Sequence, residues 1–162
     1  MKETISVHRL SWAAAATAVT FLMTVLPKIP IPLGYAHLGD AVIFLIALLL
    51  PRRDAAMAAA IGSALADLLG GFPIWVLPTL LIKAGMVFIV APFAKKNFFV
   101  VVCGFLISSL WIAAGYTAAG AILYGDLALG LLQTPGLLAE GAVNTAVAAA
   151  LLLVLKKSGF IS

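Results

Sequence analysis

The sequence predicts an all-α integral membrane protein, one domain over residues 1–162, with six transmembrane helices and both termini in the cytoplasm. Three observations predict it. The chain is 64% hydrophobic and only 10% charged, where a soluble domain carries roughly 25% charged residues, and its mean hydropathy is +1.20. Its apolar runs are separated by short polar breaks, the mark of a polytopic membrane protein. Its basic residues fall almost entirely on one side of the alternating spans.

The first span covers about 10–26 and ends at "PKIPIP". Lys2 and Arg9 ahead of it imitate a signal peptide, but no small-residue cleavage site follows, so an uncleaved first helix is expected. The second, about 38–50, is stopped by Pro51 and is short against the roughly 20 residues of a spanning helix. The third covers about 54–69 and ends at "GGFP"; the others cover about 74–93, 98–124 and 137–155. With alternating sides, Lys2, Arg9, Arg52, Arg53, Lys95, Lys96, Lys156 and Lys157 share one side. Only Lys28 lies in a loop opposite, and Lys83 lies within the fourth span. The positive-inside rule makes the crowded side cytoplasmic.

Several functions are excluded. The charge of +4 lacks the basic stripe and stacking aromatics of a nucleic-acid binder. The single cysteine, Cys103, reads as a small hydrophobe in an apolar run and forms no disulfide within the chain. The chain contains no phosphate loop, H-E-x-x-H or G-x-S-x-G motif. No catalytic residue, metal site or cofactor is therefore expected, and transport would need an ion gradient or an energised partner.

The polar residues of the spans carry the functional signal. An ionisable group in a bilayer costs at least ~2.5–3.5 kcal/mol on insertion scales, so it faces a bundle interior or a wet cavity. Asp40 starts the second span and Asp67 ends the third, both near the outer face. Glu140 and Asn144 lie one turn apart on the outer half of the sixth. Tyr35 and His37 belong to the first outer loop, Trp75 opens the fourth span, and Tyr116 lies in the outer half of the fifth. Lys83 sits about 13 Å below the outer end of its helix, as a ligand contact or the partner of Asp67. Together these residues outline an outward-facing pocket. Each also has a structural reading. Asp40 suits a helix N-terminus, Trp75 an interfacial belt and Asn144 an interhelical hydrogen bond. Pro78 is expected to kink the fourth helix.

Small residues make a second pattern. Ala14 and Ala18 on the first helix, and Ala56, Ala60 and Ala64 on the third, are spaced four apart. Such faces allow close helix approach, either within the bundle or to another membrane subunit.

The pieces "HLGDAVIFL", "GSALADLLGG" followed by "PIW", and "PTLLIK" resemble the substrate-binding S components of energy-coupling factor (ECF) vitamin transporters. The likeness is to the riboflavin-type group, which also holds hydroxymethylpyrimidine and pyridoxine-type carriers. It implies a six-helix S-component bundle in a prokaryotic plasma membrane, with a vitamin pocket near the outer surface capped by the first loop. It also implies docking on a transmembrane coupling protein that bears two ATPases, through an A-x-x-x-A motif that Ala14 and Ala18 match. The chain departs from the family in "LLPRRDAAMAAA", which lacks the usual G-P-x-x-G turn, and in "LLAEGAVNTA", which matches no single vitamin. Aromatics with carboxylates suit a flat polar heterocycle. A thiamine-pyrimidine or vitamin B6-like ligand comes first, ahead of riboflavin. The competing readings are a standalone ion-coupled carrier or channel, and an intramembrane aspartyl protease using Asp40 and Asp67.

Overall fold

The computed structural model describes residues 6–159, so Lys2 of the charge pattern lies outside the described residues. Six helices dominate: α1 (Val7–Val25), α2 (Gly39–Leu49), α3 (Arg52–Leu69), α4 (Val76–Val90), α5 (Phe98–Tyr124) and α6 (Leu127–Lys157). Single 3₁₀ turns, Pro73–Trp75 and Ala91–Phe93, flank α4. The segments from Pro73 to Phe93, Phe98 to Tyr124 and Leu127 to Lys157 are long and apolar enough to cross a membrane. Helix α2 is apolar but has 11 residues, or about 16 Å of a ~30 Å hydrocarbon core. Helices α1 and α3 have 19 and 18 residues, and both carry charge. Leu22, Leu77, Leu81, Phe88, Leu106, Leu110, Val143 and Val154 are exposed around the bundle. That apolar exterior is suited to lipid.

Not every element is helical. Residues Ile29–Ile31 (β1) and Gly34–Ala36 (β2) pair antiparallel, with Pro30 opposite Tyr35, where the sequence suggests only a loop. The alternating "IPI" suits a short strand, and Pro30 is tolerated because a two-stranded ribbon consists of edges alone. The turn places Leu33 at φ 62°, an uncommon left-handed conformation for a non-glycine residue.

The last two helices also differ from expectation. Gly125, at φ 67°, ends α5 in the left-handed conformation. The next residue, Asp126, caps α6 by accepting from Ala128 N–H at 2.8 Å. This two-residue stop-and-start brings the sixth helix in ten residues before the apolar segment that begins at Leu137. Pro78 lies in the first turn of α4, where the missing N–H interrupts no intrahelical bond. The proline inside a helix is Pro135 of α6.

Phe44 of α2 stacks on Phe105 of α5, with centroids 4.8 Å apart, and Met86, Val87, Val90, Val101 and Leu152 close the core around them. The alanines of α3 belong to this interior, since Ala56, Ala60 and Ala64 are all buried. Helix α1 packs closely on α3 at Gly62, where an added Cβ would lie 2.7 Å from the Thr17 carbonyl oxygen. Gly62→Ala is therefore expected to cost about 1–3 kcal/mol through overpacking. Thermal unfolding in detergent tests this: an unchanged midpoint would mean the α1–α3 contact yields without strain. At the opposite end from the hairpin, Arg9 of α1 grips Asp54 of α3 through two hydrogen bonds, at 2.5 and 2.9 Å.

Candidate substrate-binding site

Beneath the hairpin lies a cavity of about 440 Å³, counting its open mouth. It is lined by Ile31, Leu33, Gly34, Tyr35 and His37 from the first connection, and by Asp67, Phe72 and Trp75 from the α3–α4 corner. Lys83 of α4, Tyr116 of α5, and Gln133, Leu137 and Glu140 of α6 complete it. Seven residues singled out from sequence thus share one cavity: Tyr35, His37, Asp67, Trp75, Lys83, Tyr116 and Glu140. Asp40 and Asn144 do not line it.

Asp40 is buried behind the wall, 1% exposed, and its Oδ1 pairs with Lys83 Nζ. Two expectations are corrected here. Asp40 does not look outward, and the partner of Lys83 is Asp40, not Asp67. The α2 start and the middle of α4 are neighbours in the bundle, whereas Asp67 leans toward the hairpin. There Asp67 Oδ1 accepts from the Tyr35 hydroxyl at 2.8 Å, and Oδ2 accepts from Thr79 at 2.5 Å. Thr79 Oγ1 is also 3.0 Å from the Tyr116 hydroxyl. Burial raises the Tyr35 pKa, with Asp67 adding to the effect, so the phenol stays protonated and remains the donor. Asp40 and Asp67 thus serve separate networks and do not form the shared-proton pair of an aspartyl protease.

Asn144 is a staple. Its amide donates to the His37 carbonyl at 2.8 Å and its oxygen accepts from Ala41 N–H at 2.8 Å, tying the α2 start to α6. Glu140 Oε1 accepts from His37 N–H at 3.1 Å, one helical turn away on the same face. His37 Nδ1 accepts from Gly39 N–H at 3.1 Å. Burial pushes the His37 pKa down to about 4, so its ring is neutral at neutral pH. His37, Asp40 and Glu140 bring ligand atoms within 4.8 Å of one another, as a metal site would. The Lys83 ammonium already supplies the cation for that cluster through Asp40.

Aromatic rings form the remaining walls. Tyr35 leans on Phe72 at 5.2 Å between centroids, and Trp75 on Tyr116 at 5.7 Å. The Trp75 N–H is buried without a hydrogen-bond partner among the described residues. Trp111 stands outside this wall and donates to the Ile82 carbonyl at 3.0 Å, bracing α4 beside Lys83.

Sequence reasoning missed Gln133, whose amide donates to the Tyr116 carbonyl at 2.7 Å. Starting the sixth span at 137 had placed Gln133 in a loop. The polar pair Gln133–Thr134 between apolar stretches was the available signal. Ile31, Leu33, Phe72 and Leu137 carry no polar signature at all.

Ala14 and Ala18 bracket the midpoint of α1, do not line the cavity, and are both exposed. The face of α1 that meets α3 carries Thr17, Thr20 and Phe21 instead.

The comparisons with known proteins agree with this architecture. Residues 4–157 match the family model of the ECF-type riboflavin transporter S component. An uncharacterised protein in the gap 3′ region of Pyrococcus woesei is 38% identical over 112 residues, covering 67% of this chain and 74% of that protein. The solved structure of the S component of a bacterial ECF transporter superposes with a TM-score of 0.74 at 18% identity, over 94% of this chain and 96% of that one. At that identity the structural match speaks for the fold. With the family model spanning nearly the whole chain, the protein belongs to the ECF-type riboflavin transporter S-component family and is a membrane substrate-binding subunit, not an enzyme.

Proposed function

We propose that the chain captures a vitamin or vitamin precursor with a single heteroaromatic ring, of thiamine-pyrimidine or vitamin B6-like type. Capture takes place in the hairpin-capped cavity, which opens to the outside of a prokaryotic plasma membrane. The carrying observation is the cavity itself, where the rings of Tyr35, Phe72, Trp75 and Tyr116 surround Lys83, Asp67 and Glu140. Flat rings suit those walls, and the charged groups orient them. Riboflavin, with three fused rings, is kept as the second reading by the family's name.

Delivery proceeds by docking on a transmembrane coupling protein that carries two ATPases. The Ala14–Ala18 face supports this, because both alanines remain exposed among the described residues. An apolar groove runs beside it, lined by Trp12, Ala15, Ala16, Val19, Val42 and Ile46. In this reading both termini, with the Arg9–Asp54 clamp, are cytoplasmic. The whole chain acts as a single transmembrane domain.

Native mass spectrometry of gently purified protein, with co-purification from its native membrane, tests the proposal. Retention of a one-ring heterocycle and recovery of a coupling protein with ATPases are expected. Retained riboflavin would favour the second reading. Transport in vesicles by the isolated chain, driven by an ion gradient, would sink both in favour of a standalone carrier.

A further inference from the structure

Helices α1 and α2 leave an apolar groove on the outside of the bundle. Ala16 and Ile46, each 8% exposed, form its floor, and the exposed Trp12, Val19 and Leu49 form its rims. The two helices run antiparallel, so Val19 and Val42 stand at one end of the groove, and His8 and Leu50 at the other.

Its length decides what fits. His8 to Val19 covers about 16 Å of α1, and Val42 to Leu50 about 12 Å of α2, roughly half of a ~30 Å hydrocarbon core. Arg9, next to His8, reaches Asp54 in the first turn of α3. The His8–Leu50 end is therefore level with the arginines that start α3. The groove has the depth of one leaflet, on the side of the termini. A spanning helix of a partner would leave half its height unmatched there, whereas an acyl chain needs that one leaflet only.

The mouth is positive. Arg52 and Arg53 follow Leu50 closely, and both are exposed. Asp54, their neighbour in sequence, is taken by Arg9. Arg52 lies over the Phe88 ring at 5.9 Å, and among the described residues no carboxylate pairs with either arginine. Trp12 Nε1 donates to His8 Nε2 at 3.1 Å, which leaves the proton of a neutral imidazole on Nδ1 as a further donor. Positive charge and a donor at one end of an apolar channel match a phosphate carried on an acyl chain. Cytoplasmic basic residues alone orient a chain; the groove beside them makes a site.

We infer that the groove seats one acyl chain of an anionic phospholipid from the leaflet on the side of the termini, with its phosphate at Arg53, Arg52 and His8. This goes beyond vitamin capture, and only the naming of that leaflet as cytoplasmic rests on the proposed function. The seated chain borders the Ala14–Ala18 face, since Ala15 and Val19 line the groove.

Native mass spectrometry tests this on the full chain, reconstituted with equal amounts of phosphatidylglycerol and phosphatidylcholine of the same chains and returned to mild detergent. One retained phosphatidylglycerol is expected, favoured over phosphatidylcholine by about fivefold or more. Ala15→Phe, which fills the groove, is expected to lose the retained lipid. Arg52→Gln with Arg53→Gln is expected to keep a lipid but lose the preference. Quenching by brominated-chain phosphatidylglycerol in vesicles, larger for the wild type than for Trp12→Phe, covers the case where Ala15→Phe does not fold. No retained lipid, equal retention of the two, retention unchanged by Ala15→Phe, or equal quenching would overturn the inference. So would a dimer held through this face, or a photo-reactive residue placed at Ala15 that cross-links to the coupling protein and never to lipid. Any retained heterocycle appears in the same spectra, so the vitamin reading stands or falls separately.

Discussion

Asp40→Asn is expected to destabilise the protein by about 3–5 kcal/mol, because it strands a buried lysine without its counter-charge. Asp40 and Lys83 side chains are 1% and 2% exposed, so water cannot take over for the lost partner. The pair also joins the start of α2 to the middle of α4, and α2 is the shortest helix of the bundle. Thermal unfolding in detergent, followed by tryptophan fluorescence, measures the loss. Lys83→Met alone should be harmful for the mirror reason, leaving Asp40 charged and buried. The double variant Asp40→Leu with Lys83→Met should recover most of the loss, since an apolar pair of similar volume often replaces a buried ion pair without penalty. Strictly additive effects in that cycle would show that the two side chains act independently. The double variant separates stability from recognition as well. If Lys83 also contacts ligand, the rescued protein folds but binds more weakly.

Ala14→Leu with Ala18→Leu is expected to abolish ATP-dependent uptake and co-purification with the coupling subunit, while affinity for ligand in the isolated chain stays within about twofold. Both alanines are exposed on α1, away from the α3 contact at Gly62. Close approach of a partner helix depends on small residues, because lipid removes the hydrophobic drive for association and leaves packing. Two leucines hold that partner off without entering the cavity, which neither position lines. Uptake in reconstituted vesicles and ligand titration in detergent read the two properties separately. Normal assembly and uptake would place the docking surface elsewhere. Loss of ligand affinity would mean this face packs inside the bundle.

Much of the site was legible because charge is rare in this chain. Where a bilayer penalises every ionisable group, each one that persists has a reason, so Asp67, Lys83 and Glu140 could be picked from sequence without knowing their neighbours. Pairing was not legible in the same way. Asp67 and Lys83 are nearer in sequence than Asp40 and Lys83, yet Asp67 turns to Tyr35 and Thr79. A hairpin that folds back over the bundle brings Tyr35 there, and its strands are three residues long, too short for any periodicity to announce.

The two alanine patterns make the same point. Spacing of four on α1 and on α3 reads identically in the sequence. Tertiary structure separates them, since Ala56, Ala60 and Ala64 are sealed inside while Ala14 and Ala18 remain on the surface. Helix α6 adds the opposite case, where hydropathy began the span at 137 but the helix runs from Leu127, because a local cap at Asp126 and contact with α5 decide where a helix starts.

By itself, then, the sequence determined that the chain is helical, belongs in a membrane and gathers the few polar groups of its spans toward the end opposite most of its basic residues. Those are consequences of composition and of the energy of burying charge in lipid, which act on each segment alone. Only the tertiary structure decided that Asp40 neutralises Lys83 and that Asn144 ties the start of α2 to α6. Such pairings depend on which helix faces bring side chains within about 3 Å of each other, and that distance is a property of the whole bundle.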